Sequence, residues 1–312
     1  MRTYTDQYGV EVQPFYPTNY KLVKSGCLLE IYKFGRNILL GHKPHKYKSP
    51  EEIEALASLS KPEPNHEEVL KSSARRAKRN IRRLIFANSF KWFKTDSDKP
   101  YKPITLTLTF KENITNLKEA NYEFTKFIRR LNYETNGIEG KELKQSNLKY
   151  LAVFELQARG AIHYHMIFFN LPYIENIYDK LRDIWGQGRI MVGGKNRNFE
   201  KIKNQTKLKK IIDYFIKYIQ KSILDNNFPN QKKYITSKGL LKPQTQYFEE
   251  VIKIIQNQLP DNSLVYKRDG EQEYYDGKTS DNFLRWMNYW QYDLSALPEL
   301  ENEISDMLET YS

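Results

Sequence analysis

Glu155, His163 and His165 are the residues of this chain whose types and spacing best suit cation binding. His163-Tyr164-His165 sits inside an apolar run, with Ala161-Ile162 before it and Met166-Ile167-Phe168-Phe169 after it. In a strand, residues two apart share a face, so the two imidazoles emerge side by side. Glu155 falls on the preceding strand of an expected hairpin, where cross-strand pairing brings a carboxylate next to them. Two imidazole nitrogens and one carboxylate, with coordination positions left open, suit a divalent ion that also holds a substrate oxygen. Mg²⁺ prefers oxygen ligands, so Mn²⁺ should bind this set at least as well. A His-x-His pair also arises by chance; here two of only five histidines share one strand face beside an acid. His42 and His45, in Gly-His-Lys-Pro-His, have no acidic or cysteine partner nearby and read as a basic loop.

A second group lies further on, in Asp213-Tyr214-Phe215-Ile216-Lys217-Tyr218-Ile219-Gln220-Lys221. On a helix, Tyr214 and Tyr218 are four apart and project from one face, roughly 6 Å apart at Cβ. Lys217 and Lys221 each follow a tyrosine by three. A phenol ionises near pH 10, so it needs help to act as a nucleophile at neutral pH. A neighbouring ammonium favours the phenolate or steadies charge developing on the group attacked. An i, i+4 aromatic pair is more often core packing, and the chain holds 23 tyrosines. Ile211, Ile212, Phe215, Ile216 and Ile219 supply the apolar face better, however, which puts the tyrosines at the edge of the core.

The elements that must position these groups follow from periodicity. Ile104-Thr105-Leu106-Thr107-Leu108-Thr109-Phe110 alternates with period two, a half-buried strand. Leu117, Ala120, Phe124, Phe127, Ile128 and Leu131 recur at helical spacing over 117–134. Residues 148–157 and 161–169 read as two strands joined by Ala158-Arg159-Gly160. A helix over 174–185 ends at Gly186, a short strand covers 188–192, and a last helix runs from about 206 to 224. Strand, helix, two antiparallel strands, helix, strand, helix is close to the split β-α-β-β-α-β arrangement. The expected fold is therefore α+β, a central antiparallel sheet with helices on one face, plus N- and C-terminal extensions.

Charge sharpens the organisation. The formal net charge is +12. It divides into 18 basic against 11 acidic residues over 1–98, 23 against 13 over 99–225, and 9 against 14 over 226–312. A phosphate backbone is a natural partner for the first two thirds. From Lys71 to Lys94 there are nine basic residues and no acidic one. They lie on an expected helix over 67–93 whose apolar stripe is Ala77, Ile81, Leu84 and Ile85. Arg75, Arg76, Lys78, Arg79, Arg82 and Arg83 are its candidate DNA contacts. Three regions are expected: 1–98, a basic extension contacting DNA; 99–225, the catalytic domain; and 226–312, an acidic accessory region. Residues 1–60 carry short apolar runs among Gly and Pro, suggesting short strands or loops.

In this order the pieces resemble the HUH endonuclease superfamily, specifically the rolling-circle replication initiators of small phages and plasmids, two-tyrosine type. The resemblance rests on Leu106-Thr107-Leu108-Thr109-Phe110, then Glu155-x7-His163-Tyr164-His165 with Arg159-Gly160 between, then the doubled Tyr-x-x-Lys from Tyr214 to Lys221. It covers about residues 99–225, with weaker similarity at 74–88 and 234–240. One departure is Tyr164, where the family carries a bulky aliphatic. The resemblance implies a nicking enzyme with a ferredoxin-like core. In it Glu155, His163 and His165 hold Mg²⁺ or Mn²⁺, and Tyr214 or Tyr218 attacks single-stranded origin DNA presented as a hairpin or loop. A 5′-phosphotyrosine and a free 3′ hydroxyl would result, the latter used by a host polymerase alongside a host helicase. Lys217 would stabilise the transition state and Lys221 would serve the second tyrosine.

Three rivals bear on this expectation. A transposase of the same superfamily commonly carries a cysteine-rich zinc region, and this chain has one cysteine, Cys27. Mobilisation relaxases place the nucleophile before the histidines, and here it follows them. A non-catalytic RRM-like module would need aromatic and basic residues on its sheet in place of a His-x-His beside a carboxylate. The single cysteine excludes an internal disulfide, and no apolar run or leader-like N-terminus is present, so a bacterial host cytoplasm with no membrane association is expected. No Gly-x-x-x-x-Gly-Lys-[Ser/Thr] loop occurs, so no intrinsic ATPase is expected.

Overall fold

The structure, a computed structural model, describes residues 4–5, 11–12, 16–40, 49, 66–94, 97–136, 148–193, 205–224, 234–275 and 282–311. His42 and His45 lie outside the described residues. In chain order the main elements are β1 (Tyr16–Ser25), β2 (Leu28–Leu40), α1 (His66–Asn88), β3 (Ile104–Thr109) and α2 (Leu117–Asn136). Then come β4 (Tyr150–Leu156), β5 (Ile162–Phe168), α3 (Ile177–Trp185), β6 (Ile190–Val192), α4 (Gln205–Leu224) and β7 (Tyr234–Thr236). The chain continues with β8 (Gln244–Gln246), α5 (Glu249–Gln258), β9 (Leu264–Tyr275), β10 (Asn282–Asp293) and α6 (Pro298–Thr310). The fold is α+β with antiparallel sheets. No helix of the described residues is long and apolar enough to cross a membrane.

The chain forms two compact units, Leu70–Pro243 and a second made of Met1–Val69 with Gln244–Ser312. The boundaries expected after residues 98 and 225 do not coincide with these. The basic helix and strand β7 belong to the same unit as the His-x-His strand, and the chain's two ends build one unit together.

In the unit Leu70–Pro243, five strands form an antiparallel sheet in the order β6-β3-β5-β4-β7. The first four reproduce the split β-α-β-β-α-β order, and β7 extends the edge beside β4. Alternation decides the two faces. Leu106, Leu108, Phe154, Ile162, Tyr164 and Met166 point to one face, where α2 and α3 supply Phe124, Phe127, Leu131, Leu181 and Trp185 to a continuous core. Trp185 packs on Phe110 with ring centroids 5.0 Å apart, and its indole N–H donates to the Thr109 carbonyl at 3.1 Å. Helix α2 starts where Asn116 Oδ1 accepts from the backbone N–H of Lys118 at 2.9 Å, an N-cap. Helix α3 starts at Ile177, three residues later than expected, and stops at Gly186, whose φ of 61° suits a residue without Cβ.

The expectation of helices on one face needs a correction. Helix α4 packs against β4 from the opposite face, where Leu208, Ile212 and Phe215 are buried. That face carries the odd-numbered residues of β3, β4 and β5, including both histidines and Glu155.

The second unit holds a sheet in the order β8-β1-β2-β10-β9. Strands β1 and β2 form a hairpin turning at Gly26, and β2 pairs with β10, Ile31 opposite Trp290. Leu22, Leu29 and Ile31 are buried, as are Ile252 and Ile255 of α5 and Ile304 and Leu308 of α6.

Candidate active site

Register fixes the side chains of the site. Glu155 lies directly opposite His163 across the β4–β5 pair, while His165 lies opposite Val153 on β4 and Thr107 on β3. The three side chains thus converge on one face, and one ligand atom from each lies within 4.8 Å of the others. Glu155 Oε1 is 3.2 Å from Nε2 of His165. The two imidazole centroids are 6.1 Å apart. Nε2 of His163 is buried and has no hydrogen-bond partner among the described residues. Leaving a buried polar atom unpaired is costly unless something else satisfies it. A neutral imidazole with an unused lone pair beside a carboxylate is what a divalent cation requires, so the donor set fits one.

The electrostatics agree. Burial holds the His163 imidazole well below its ordinary value, at about 4, with His165 and Arg159 pushing the same way and Glu155 opposing. His163 is therefore uncharged at neutral pH, with its lone pair available. Arg159 sits in the turn between the two strands. Its guanidinium donates to the carbonyls of Phe110 and of Lys111, the latter at 3.1 Å, which ties that turn to the end of β3. Gly160 completes the turn at a φ of 84°, a left-handed conformation that favours glycine.

Tyr164, the departure from the aliphatic residue, points to the opposite face. Its ring stacks on Phe124 at 4.7 Å, and its hydroxyl donates to Asn121 Oδ1 at 2.8 Å. The phenol is fully buried with its polar end satisfied, so an aromatic fills this position.

Helix α4 brings the first tyrosine to the cluster. Ile212 and Phe215 are buried and Ile211 and Ile216 half-buried, so Tyr214 stands at the edge of the core, 39% exposed. Its hydroxyl is 2.9 Å from Nδ1 of His165, with the rings perpendicular and their centroids 5.3 Å apart. Lys217 is exposed one turn on. The side chains of Tyr218 and Lys221 lie outside the described residues, although their backbone belongs to α4. In α1, Arg75, Arg76 and Arg79 are exposed and Lys78, Arg82 and Arg83 half-buried.

Sequence reasoning missed one contact at the site. Oγ1 of Thr107 is 3.2 Å from Nδ1 of His165. The Thr-Leu-Thr alternation showed that Thr107 shares a face with its neighbours Thr105 and Thr109. Only the β3–β5 register tells which of them meets His165.

An antiparallel α+β sheet bearing two histidines and a glutamate, with a tyrosine delivered by a helix beyond, defines the class of site. Residues 103–223, which contain all of it, match the family model described as Replication-associated protein ORF2. The match supports a replication-initiator family for this part of the chain. No curated protein gives a significant match to the chain, and no solved structure does.

Proposed function

We propose that the chain is an initiation endonuclease of rolling-circle replication that nicks single-stranded origin DNA with a tyrosine. The observation that carries this reading is the 2.9 Å contact between the Tyr214 hydroxyl and Nδ1 of His165, whose Nε2 faces Glu155. Among the described side chains, a nucleophile and a cation-binding set thus share one imidazole.

Glu155, His163 and His165 would hold the ion, Mg²⁺ or Mn²⁺. When bound, such an ion polarises the scissile phosphodiester and neutralises charge on its non-bridging oxygens. The phenolic oxygen of Tyr214 attacks phosphorus in line. The bond from phosphorus to the 3′ oxygen breaks, and the phenol gives up its proton as the leaving oxygen gains one. The products are a 5′-phosphotyrosine and a 3′ hydroxyl. Because one phosphoester replaces another, resealing by the reverse attack needs no nucleotide. Lys217, one turn from Tyr214, is exposed and suited to the charge building on the phosphoryl oxygens. Tyr218, with Lys221, is the second nucleophile for the end of a round. The arginines of α1 contact the DNA backbone, and the 3′ hydroxyl serves a host polymerase working with a host helicase.

Incubation with a labelled single-stranded hairpin and Mn²⁺ tests this. A protein–DNA adduct that survives boiling in detergent, and that disappears in Tyr214→Phe/Tyr218→Phe, is expected. Cleavage with no adduct, or adduct retained in that double variant, overturns the tyrosine mechanism.

A further inference from the structure

We propose that Thr107 is a positioning residue, which keeps His165 in its metal-binding form once Tyr214 has left it for the DNA; this rests on the function proposed above. The reasoning starts from one nitrogen. Nδ1 of an imidazole offers a single in-plane position, either one hydrogen or one lone pair. At His165 two oxygens approach that position, Tyr214 Oη at 2.9 Å and Thr107 Oγ1 at 3.2 Å. Nε2 on the other side of the ring faces Glu155. If Nε2 contributes its lone pair to a cation, the ring's hydrogen resides on Nδ1 and requires an acceptor.

At rest the nearer acceptor is Tyr214. During nicking that same oxygen becomes bonded to phosphorus, and the phenol is no longer free to stay on the imidazole. Thr107 is already within reach and does not have to move, because its place opposite His165 is set by the pairing of β3 with β5. The arrangement is specific within its row. Thr105, Thr107 and Thr109 occupy the same face of β3 and are all half-buried. Thr109 stands opposite His163, yet Nε2 of His163 has no hydrogen-bond partner among the described residues. Thr107 takes the hydrogen of the ring that loses its tyrosine partner in every cycle. It thereby holds both tautomer and ring orientation while the phosphotyrosine exists.

The test uses the full chain and Mn²⁺ alone, with binding followed by electron paramagnetic resonance of free Mn²⁺. Tyr214→Phe reproduces the state in which the phenolic oxygen is gone. That variant should bind Mn²⁺ within about threefold of wild type, because Thr107 remains. Adding Thr107→Val should weaken binding by roughly 10- to 100-fold, the range found when the hydrogen-bond partner of a metal-bound histidine is removed. Adding Thr107→Ser instead should restore it to within about threefold, since the hydroxyl and not the methyl group is required. An unchanged melting temperature of the metal-free variants separates this from loss of fold. Equal Mn²⁺ affinity in Tyr214→Phe with and without Thr107→Val overturns the proposal, as does a serine variant as weak as the valine one. Glu155→Ala separates the two readings. If it leaves Mn²⁺ binding intact, the metal site itself fails and Thr107 with it. If it abolishes binding while Thr107→Val has no effect, Thr107 alone fails.

Discussion

Glu155 stands directly opposite His163 in the β4–β5 register, yet its carboxylate lies against the other imidazole, with Oε1 3.2 Å from Nε2 of His165. The carboxylate reaches diagonally across the strand pair and leaves Nε2 of His163 without a partner among the described residues. An added cation thus gains a ligand at His163 without having to break a bond there, and this shapes what removal of each group should do.

Mn²⁺ at about a hundred times its dissociation constant should stabilise the folded protein by about 2.7 kcal/mol through mass action. His163→Ala and Glu155→Ala should both abolish that gain in a thermal melt. The same two substitutions should differ little from wild type when chelator is present. A metal-induced shift that persists in His163→Ala would place the ion elsewhere.

Tyr214→Phe should lower adduct formation by several orders of magnitude, since it removes the nucleophile itself. Its effect on folding should be small, because the side chain is 39% exposed. Denaturant midpoints measured beside adduct yield check both halves. Tyr218→Phe should still form the first adduct but fail to complete a second strand transfer.

His163 gives a signed pH dependence. Its ordinary value is 6.5, and burial, the largest cause, holds it at about 4 in the folded chain. Between these values the unfolded chain binds the proton and the folded chain does not. The contribution is therefore fully present above pH 6.5 and is lost as pH falls towards 4. In metal-free protein, urea midpoints should fall less steeply over that window for His163→Gln than for wild type. A slope as steep as that of wild type would mean that the imidazole is not held neutral.

The basic helix can be tested by salt. Arg75, Arg76 and Arg79 are exposed on α1. Each phosphate contact to a single strand contributes about 0.7 to the slope of log affinity against log salt, so replacing all three with alanine should reduce that slope by about 2. An unchanged slope would take the helix out of the DNA interface.

At the end of the same helix, the Asn88 side chain donates to the Leu241 carbonyl at 3.0 Å and accepts from the Leu241 N–H at 2.9 Å. Asn88→Ala strands both backbone groups and should destabilise the unit by about 2–4 kcal/mol, counting roughly 1–3 for each group left unpaired. Urea unfolding of the two proteins gives the difference directly.

What was legible in the sequence was local. The alternation of Ile104 to Thr109 gives a strand whose buried and half-buried residues alternate as expected, and the spacing of Ala120, Phe124, Phe127 and Leu131 gives a helix buried on that stripe. The side-by-side histidines, the hairpin bringing Glu155 beside them, and a Tyr214 at the edge of the core were all readable from periods of two and 3.6. Pairing between distant segments was not. Residues 16–40 read as short strands or loops, whereas they form two long strands, because the partner of β2 is β10, some 240 residues later. The side of the sheet on which α4 packs was misjudged for a related reason. An amphipathic helix records that it has an apolar face, and nothing in its spacing names the surface that covers it.

The sheet of the second unit has a consequence for how the protein is made. Strand β2 must wait for β10, and at about 5–20 residues per second a ribosome takes on the order of ten to fifty seconds to supply the chain between them. Within that interval the segment Leu70–Pro243 is completed, with every strand of its own sheet. This inner unit can therefore mature on the nascent chain before the one that surrounds it in sequence. The hydrophobic residues of β1 and β2 stay unsheltered meanwhile, and that stretch is where a chaperone has most to protect.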